Sequence, residues 1–119
     1  MRMRLMALTL TVLTLAFATS ALAETREFTV VNIEFEGSKI WLPATLVVHK
    51  GDTVKIKLIN NVKTDPNVHG YAIAAFKVAE VVNRGEPKEL QFVADKEGIF
   101  PINCQLHPAH VAGQLLVLE

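Results

Sequence analysis

The chain has 119 residues, half of them hydrophobic, with 12 basic and 12 acidic side chains, four histidines and one cysteine. The sequence predicts that a leader carrying Arg2 and Arg4 is removed, which leaves 10 basic and 12 acidic residues and a net charge near −2. That charge argues against a nucleic-acid partner, because phosphate binding calls for a basic face. The remaining length allows one domain with a modest core.

The first 23 residues have the features of a secretory signal peptide. A short basic start precedes the apolar segment 5–19, and Ala21-Leu22-Ala23 supplies small residues for cleavage. The apolar segment is shorter than the ~20 residues of a membrane span. We therefore predict a signal peptide over 1–23, a mature domain over 24–119, a periplasmic or otherwise exported location, and no stable membrane insertion after cleavage. An uncleaved N-terminal anchor is the alternative.

Turn residues divide the mature segment into short predicted strands. The first, 27–35, ends at Gly37-Ser38. The clearest alternation lies in 54–60, with valine, isoleucine and leucine on one face and lysines on the other. The other predicted strands, in chain order, are 45–49, 71–73, 78–82, 89–93, 99–104 and 114–118. A short helix within 72–82 is also compatible with the pattern. Strands at this spacing predict an all-β fold with two packed sheets.

The most informative segment is Cys104-Gln-Leu-His107-Pro-Ala-His110, between the last two predicted strands. These three residues are predicted to share one loop, and His69, in the turn-like segment 65–70, is predicted to reach the same end of the sandwich from a second loop. One thiolate with two or three imidazoles is the ligand set of a copper electron-transfer site. A single cysteine cannot form an internal disulfide. The alternative is a buried cysteine in a core strand.

Several segments resemble the cupredoxin family, and within it the nitrosocyanin branch most of all. The similarity extends from about Pro43 to Glu119 and includes Lys50-Gly51-Asp52, Gly70-Tyr71-Ala72-Ile73 and Cys104-Gln-Leu-His107-Pro108. The Cys-x-x-His-Pro loop is its most specific part. This resemblance implies a cupredoxin-like Greek-key β-sandwich that holds one mononuclear copper ion.

The resemblance implies Cys104 and His107 as copper ligands, with His110 closing the loop. Nitrosocyanin-like proteins have a glutamate where His69 stands, whereas common blue copper proteins have a histidine there. The short spacing from His107 to His110 resembles amicyanin, which has methionine at the second position. The expected ligand set is therefore His69, Cys104, His107 and His110. All three methionines lie in the leader, so the mature chain cannot supply a weak axial thioether. An imidazole in its place should favour Cu(II) and lower the reduction potential.

Three functions remain open on this reasoning. The first is an electron carrier that docks briefly with a redox partner protein through an apolar rim at Pro108, Ala109, Val111 and Ala112. The second requires that His110 stays off the metal, which would open a position for small-molecule binding or catalysis, so enzyme activity stays open. The third is a copper or zinc module for trafficking or storage, because zinc accepts the same donors. Nitrosocyanin-like proteins are trimers, so a homo-oligomer is compatible with the resemblance.

A few residues outside the ligand set have predicted supporting roles. Asn60 and Asn61 resemble the asparagines that brace cupredoxin copper loops, although an ordinary turn explains them equally well. Trp41 and Phe35 are predicted to serve packing and not function. Gln105 and Gln114 are reserve oxygen donors.

Overall fold

The computed structural model describes residues 12–16 and 22–119. Most of the predicted signal peptide, 1–23, thus lies outside the described residues. The described part contains nine strands and one short 3₁₀ helix, Ala74–Phe76. The strands are β1 (Thr25–Phe35), β2 (Ser38–Leu42), β3 (Thr45–His49), β4 (Thr53–Asn60), β5 (Val68–Ile73), β6 (Val78–Asn83), β7 (Lys88–Val93), β8 (Gly98–Ile102) and β9 (Gly113–Leu118).

The strands form two packed sheets and a hairpin. One sheet has the order β2-β1-β4-β7, the second has the order β3-β9-β8, and β5 pairs with β6. The pairs β1–β4 and β3–β9 are parallel, and the other pairs are antiparallel. Parallel neighbours that are not consecutive in the chain require connections that cross between sheets. The predicted all-β sandwich is confirmed.

Two local predictions need correction. Strand β2 was not predicted, because Gly37-Ser38 was interpreted only as a break. Glu36 and Gly37 both have positive φ, 48° and 80°, and Phe35 pairs with Ser38, which makes a two-residue hairpin turn that reverses the chain directly into β2. In addition, β5 begins at Val68, three residues before the predicted start. His69 therefore lies in a strand and not in a loop.

The core forms between the inward faces of the two sheets. Val54, Ile56 and Leu58 are buried, as their alternation with the exposed Lys55 and Lys57 predicts. They pack with buried apolar residues of β1 and of the facing sheet: Val30, Leu46, Val48, Leu115 and Val117. Phe35, at the end of β1, is 66% exposed, so the prediction that it serves packing is wrong.

The alternation continues one step beyond the apolar residues. It makes Asn60 the last inward residue of β4, and Asn32, its partner in the β1–β4 register, is likewise buried. Two buried asparagines therefore lie side by side at one end of the apolar core. No helix in the described segments is long and apolar enough to cross a membrane.

Candidate metal centre

Cys104 lies just beyond β8, where the chain is fastened to β5. The N–H of Ala72 donates to the carbonyl of Asn103 at 2.8 Å, and the N–H of Asn103 donates to the carbonyl of Ala72 at 3.0 Å. This isolated antiparallel bridge holds the start of the loop against the strand that carries His69. The contact between His69 and the Cys104 loop thus depends on a long-range backbone pairing.

The loop from Cys104 makes two consecutive turns. The N–H of His107 donates to the carbonyl of Cys104 at 3.4 Å, and the N–H of His110 donates to the carbonyl of His107 at 3.1 Å. The loop is then tied to the edge of β2, because the N–H of Val111 donates to the carbonyl of Lys39 at 2.8 Å. Cys104, His107 and His110 thus share one loop, as predicted.

His69, Cys104 and His107 form a compact donor cluster. One ligand atom from each of the three lies within 4.8 Å of the other two. The Sγ of Cys104 is 3.5 Å from Nδ1 of His107. His69 is fully buried, Cys104 is 5% exposed, and His107 is half-buried at the surface. Within residues 12–16 and 22–119, no other three histidine, cysteine or acidic side chains come this close.

The environment of His69 fits a metal ligand. Neither ring nitrogen has a hydrogen-bond partner among the described residues, although burial without a partner is costly for a polar atom. Burial, and next the nearby His110 and His107, lower the pKa of His69 to about 4. The ring is therefore neutral near pH 7, which is the form that binds metal. A metal ion would satisfy a nitrogen that is otherwise unpaired.

The sulfur of Cys104 accepts a backbone hydrogen bond from the strand that carries His69. The N–H of Gly70 donates to Sγ at 3.1 Å, and the carbonyl of Gly70 accepts a 2.9 Å hydrogen bond from the indole Nε1 of Trp41. Trp41 is buried, as its predicted packing role requires, and its indole also holds the carbonyl of the same glycine whose N–H bonds to the sulfur. Hydrogen bonds to a metal-bound sulfur influence its electron density and hence the redox potential.

Gln105 covers the glycine that bonds to the sulfur. A Cβ at position 70 would overlap the side-chain amide of Gln105, so this packing requires glycine. The Nε2 of Gln105 donates to the carbonyl of Glu80 at 3.1 Å, which holds the amide over Gly70. The side chain therefore serves packing in this arrangement, and its role as a reserve oxygen donor stays a prediction.

His110 lies beside the cluster but makes other contacts. Its ring centroid is 5.3 Å from that of His69, and the residue is 6% exposed. Neither ring nitrogen joins the group of close ligand atoms. Nε2 lies 2.9 Å from Oδ1 of Asn32, and Nδ1 lies 3.0 Å from the carbonyl of Val111. Ligation by His110 stays a prediction.

Asn60 braces the segment that precedes β5. Its Nδ2 donates to the carbonyls of Asn67 and Val82 at 2.8 and 2.9 Å, and its Oδ1 accepts from the N–H of Val62 at 3.0 Å. These bonds support the backbone on either side of His69 and do not reach the sulfur. Asn61 is exposed.

Sequence reasoning missed the roles of Asn32, Gly70 and Gln105. Asparagine in the middle of a strand is unusual, and the alternation of β1 places Asn32 inward, so the sequence contained a weak indication of a buried polar role. Nothing local indicates the contact between Gly70 and Gln105, which depends on the approach of the loop to β5.

The donor set, one cysteine sulfur and two imidazoles, suits one copper ion. The donors are one soft sulfur and two imidazole nitrogens, and the cluster is mostly buried. Hydrogen bonds hold the backbone of β5 and of the Cys104 loop. These three properties agree with the single copper ion that the sequence predicts.

Comparison with known proteins identifies the family of this chain. Residues 6–117 match the cupredoxin-like domain family. Two nitrous-oxide reductases are similar over 55 residues, or 46% of this chain: that of Cupriavidus necator is 42% identical and that of Ralstonia nicotianae is 38% identical. The chain spans less than a tenth of the length of these relatives, because the match covers 9% and 8% of them.

Solved structures agree on the fold. A copper nitrite reductase from Nitrosomonas europaea superposes with a TM-score of 0.61 at 23% identity, covering 79% of this chain and 41% of that one. A copper-containing nitrite reductase from Thermus scotoductus gives a TM-score of 0.65 at 27% identity, covering 81% and 28%. The match over residues 6–117 shows that this chain belongs to the cupredoxin-like domain family, and the β-sandwich and the His-Cys-His donor cluster agree with it.

Proposed function

We propose that this protein is an exported electron carrier whose copper ion is held by His69, Cys104 and His107. The observation that carries the proposal is the arrangement of these three donors on a braced backbone. When bound, copper supplies a one-electron couple between Cu(I) and Cu(II). The protein contributes fixed donors, which lowers the rearrangement that accompanies a change of oxidation state.

The backbone around the donors supports a rigid site. The bridge between Ala72 and Asn103 fixes the start of the loop, and the bond from Val111 to Lys39 fixes its end. The side chain of Asn60 holds the segment before His69. The backbone within a few residues of each donor is fixed by a hydrogen bond. The cluster can therefore keep one geometry in both oxidation states.

The surface near His107 suits brief contact with a redox partner protein. Three large apolar residues are exposed in the loop and on the neighbouring strand end: Leu42, Leu106 and Val111. Pro108 and Ala109 are exposed as well. An apolar rim beside a half-buried ligand allows close approach to the metal, and a small contact area allows fast release.

The first 23 residues support export, because their basic start, apolar segment and Ala-Leu-Ala site are typical of a signal peptide. An oxidising compartment also suits a protein whose single cysteine is buried and has a metal to bind. N-terminal sequencing or intact mass of the protein recovered from the producing cell tests this proposal, with Glu24 as the expected first residue.

A second candidate function is small-molecule binding at the copper ion. It is favoured by the hydrogen bonds of His110, which engage both ring nitrogens away from the donor cluster. An open position at the copper ion is also what the resemblance of the sequence to nitrosocyanin implies. The two candidates share three ligands and differ in the fourth.

Optical absorption and EPR of the copper-loaded protein test the proposal. We expect intense visible sulfur-to-copper absorption that Cys104→Ser abolishes and His107→Ala alters. His49→Ala is the matched control, because His49 lies at the opposite end of β3 from the loop. Azide should leave the spectrum of a closed carrier site unchanged and shift that of an open site. A colourless protein that takes up zinc would instead indicate a binding or trafficking module.

A further inference from the structure

Asn32 is a buried polar residue that the core does not explain. It is fully buried on β1, between Trp41 of β2 and Asn60 of β4, and its backbone carbonyl accepts a 2.9 Å hydrogen bond from the N–H of Asn61. Its Nδ2 has no partner within the described part of the chain. Burying an unpaired amide group is unfavourable, and an apolar residue such as Val30 fills the preceding inward position. An asparagine here therefore has a role other than packing.

The side-chain partner of Asn32 is His110. Oδ1 of Asn32 lies 2.9 Å from Nε2 of His110, in a buried contact between residues on β1 and in the copper loop. The other ring nitrogen, Nδ1, lies 3.0 Å from the carbonyl of Val111. His110 is therefore held at both nitrogens, while both nitrogens of His69 are unpaired.

A neutral imidazole has one N–H and one lone pair. The carbonyl of Val111 can only accept, so Nδ1–H donates to it and Nε2 carries the lone pair. The two ends of an amide have the same shape, and a half-turn of the Asn32 side chain would direct its Nδ2–H to that lone pair. This orientation would also give Nδ2 the partner that it lacks. If Oδ1 stays toward the ring, Nε2 must instead carry the proton and donate to it, so in either arrangement Asn32 occupies the nitrogen that His110 would need to bind copper.

We propose that Asn32 is a positioning residue that holds His110 off the copper ion and leaves the fourth ligand position open to small anions. This inference rests on the proposed copper centre, identifies what controls its fourth ligand, and favours the second candidate function, an open site, over a closed carrier site. No methionine in residues 24–119 can take that position. His110 is the nearest histidine outside the three-donor cluster, since its ring lies 5.3 Å from that of His69. The hydrogen bond between Asn32 and His110 therefore decides whether the fourth position at the copper ion is open or is closed by His110.

Titration of the Cu(II)-loaded protein with azide, followed by optical absorption and EPR, tests the inference. The wild-type protein should bind azide with a change in both spectra. Asn32→Leu removes the hydrogen bond at similar side-chain size, so His110 becomes free to ligate. We expect azide affinity to fall at least 10-fold and the copper hyperfine splitting to change before azide is added.

The double variant Asn32→Leu/His110→Ala is the matched control. If Asn32 acts through His110, removal of the imidazole should restore azide binding. If the double variant instead keeps the weak binding of Asn32→Leu, the effect does not pass through His110 and the inference is overturned.

A measurement on the wild-type protein covers the case in which the variants fail to fold. Long-range ¹H–¹⁵N NMR of the Cu(I)-loaded protein distinguishes a metal-bound Nε2 of His110 from a hydrogen-bonded one by its nitrogen shift. A hydrogen-bonded Nε2 agrees with the inference, and a metal-bound Nε2 overturns it. Loss of the sulfur-to-copper absorption would instead refute the proposed copper function, so the two failures have different signatures.

Discussion

Substitution of Asn60 by alanine should reveal how strongly the segment before His69 is held. The side chain is 2% exposed and makes three hydrogen bonds, two from Nδ2 to the carbonyls of Asn67 and Val82 and one from the N–H of Val62 to Oδ1. The Val62 and Val82 partners lie in buried surroundings, while the carbonyl of Asn67 is nearer to solvent. Alanine removes all three bonds and adds none.

The expected loss follows from the groups left without a partner. A buried backbone group that loses its hydrogen bond costs about 1–3 kcal/mol, and a group that water can reach costs much less. Two buried groups and one accessible group give a decrease of about 3 kcal/mol in the free energy of unfolding. For a domain whose total is about 5–15 kcal/mol, such a loss is large.

Urea denaturation of the metal-free protein measures this change. Asn83→Ala is the matched control, because the Nδ2 of Asn83 donates to Glu86 at an exposed position and its loss should cost less than about 0.5 kcal/mol. Asn60→Asp keeps an acceptor for Val62 but turns an oxygen toward the two carbonyls, so it should cost at least as much as alanine. Equal values for Asn60→Ala and Asn83→Ala would refute the bracing role.

Three further predictions concern the same end of the sandwich. The free energy of unfolding of the metal-free protein should decrease by about 3 kcal/mol as the pH falls from 6.5 to about 4, because His69 takes up a proton in the unfolded chain but not in the folded one. Urea denaturation across this pH range measures the decrease, and His69→Gln should make it smaller. Gly70→Ala should shift the sulfur-to-copper absorption band by displacing the side chain of Gln105. Adding Gln105→Gly should reverse the shift, because it removes the side chain that the new Cβ would overlap. A shift that persists in the double variant would show that Gln105 is not its cause. Gly113→Ala should destabilise the protein by more than Gly70→Ala, because its Cβ would overlap the backbone carbonyl of Ala44, which cannot rotate away; thermal denaturation of the two variants makes the comparison.

The fold class and most strand positions were predictable because they depend on local patterns. Alternation in residues 54–60 predicts which side chains of β4 face the core, and strand β3 was predicted with its observed bounds. Strand β2 and the start of β5 were not, because a two-residue turn at Glu36-Gly37 and the pairing of Val68 with Asn83 depend on a partner strand. Periodicity within one segment carries no information about pairing with another.

The sequence alone determined the donor chemistry: one cysteine, closely spaced histidines and no methionine in the predicted mature chain. Those facts restrict the metal, because the identity of the ligand atoms decides which ion binds well. Tertiary structure decided which donors meet. The bridge between Ala72 and Asn103 brings His69 to Cys104, and the register of β1 places Asn32 against His110. Side-chain chemistry is a property of each residue, whereas a hydrogen-bond partner is a property of the packing of distant segments, and the fourth ligand depends on the packing.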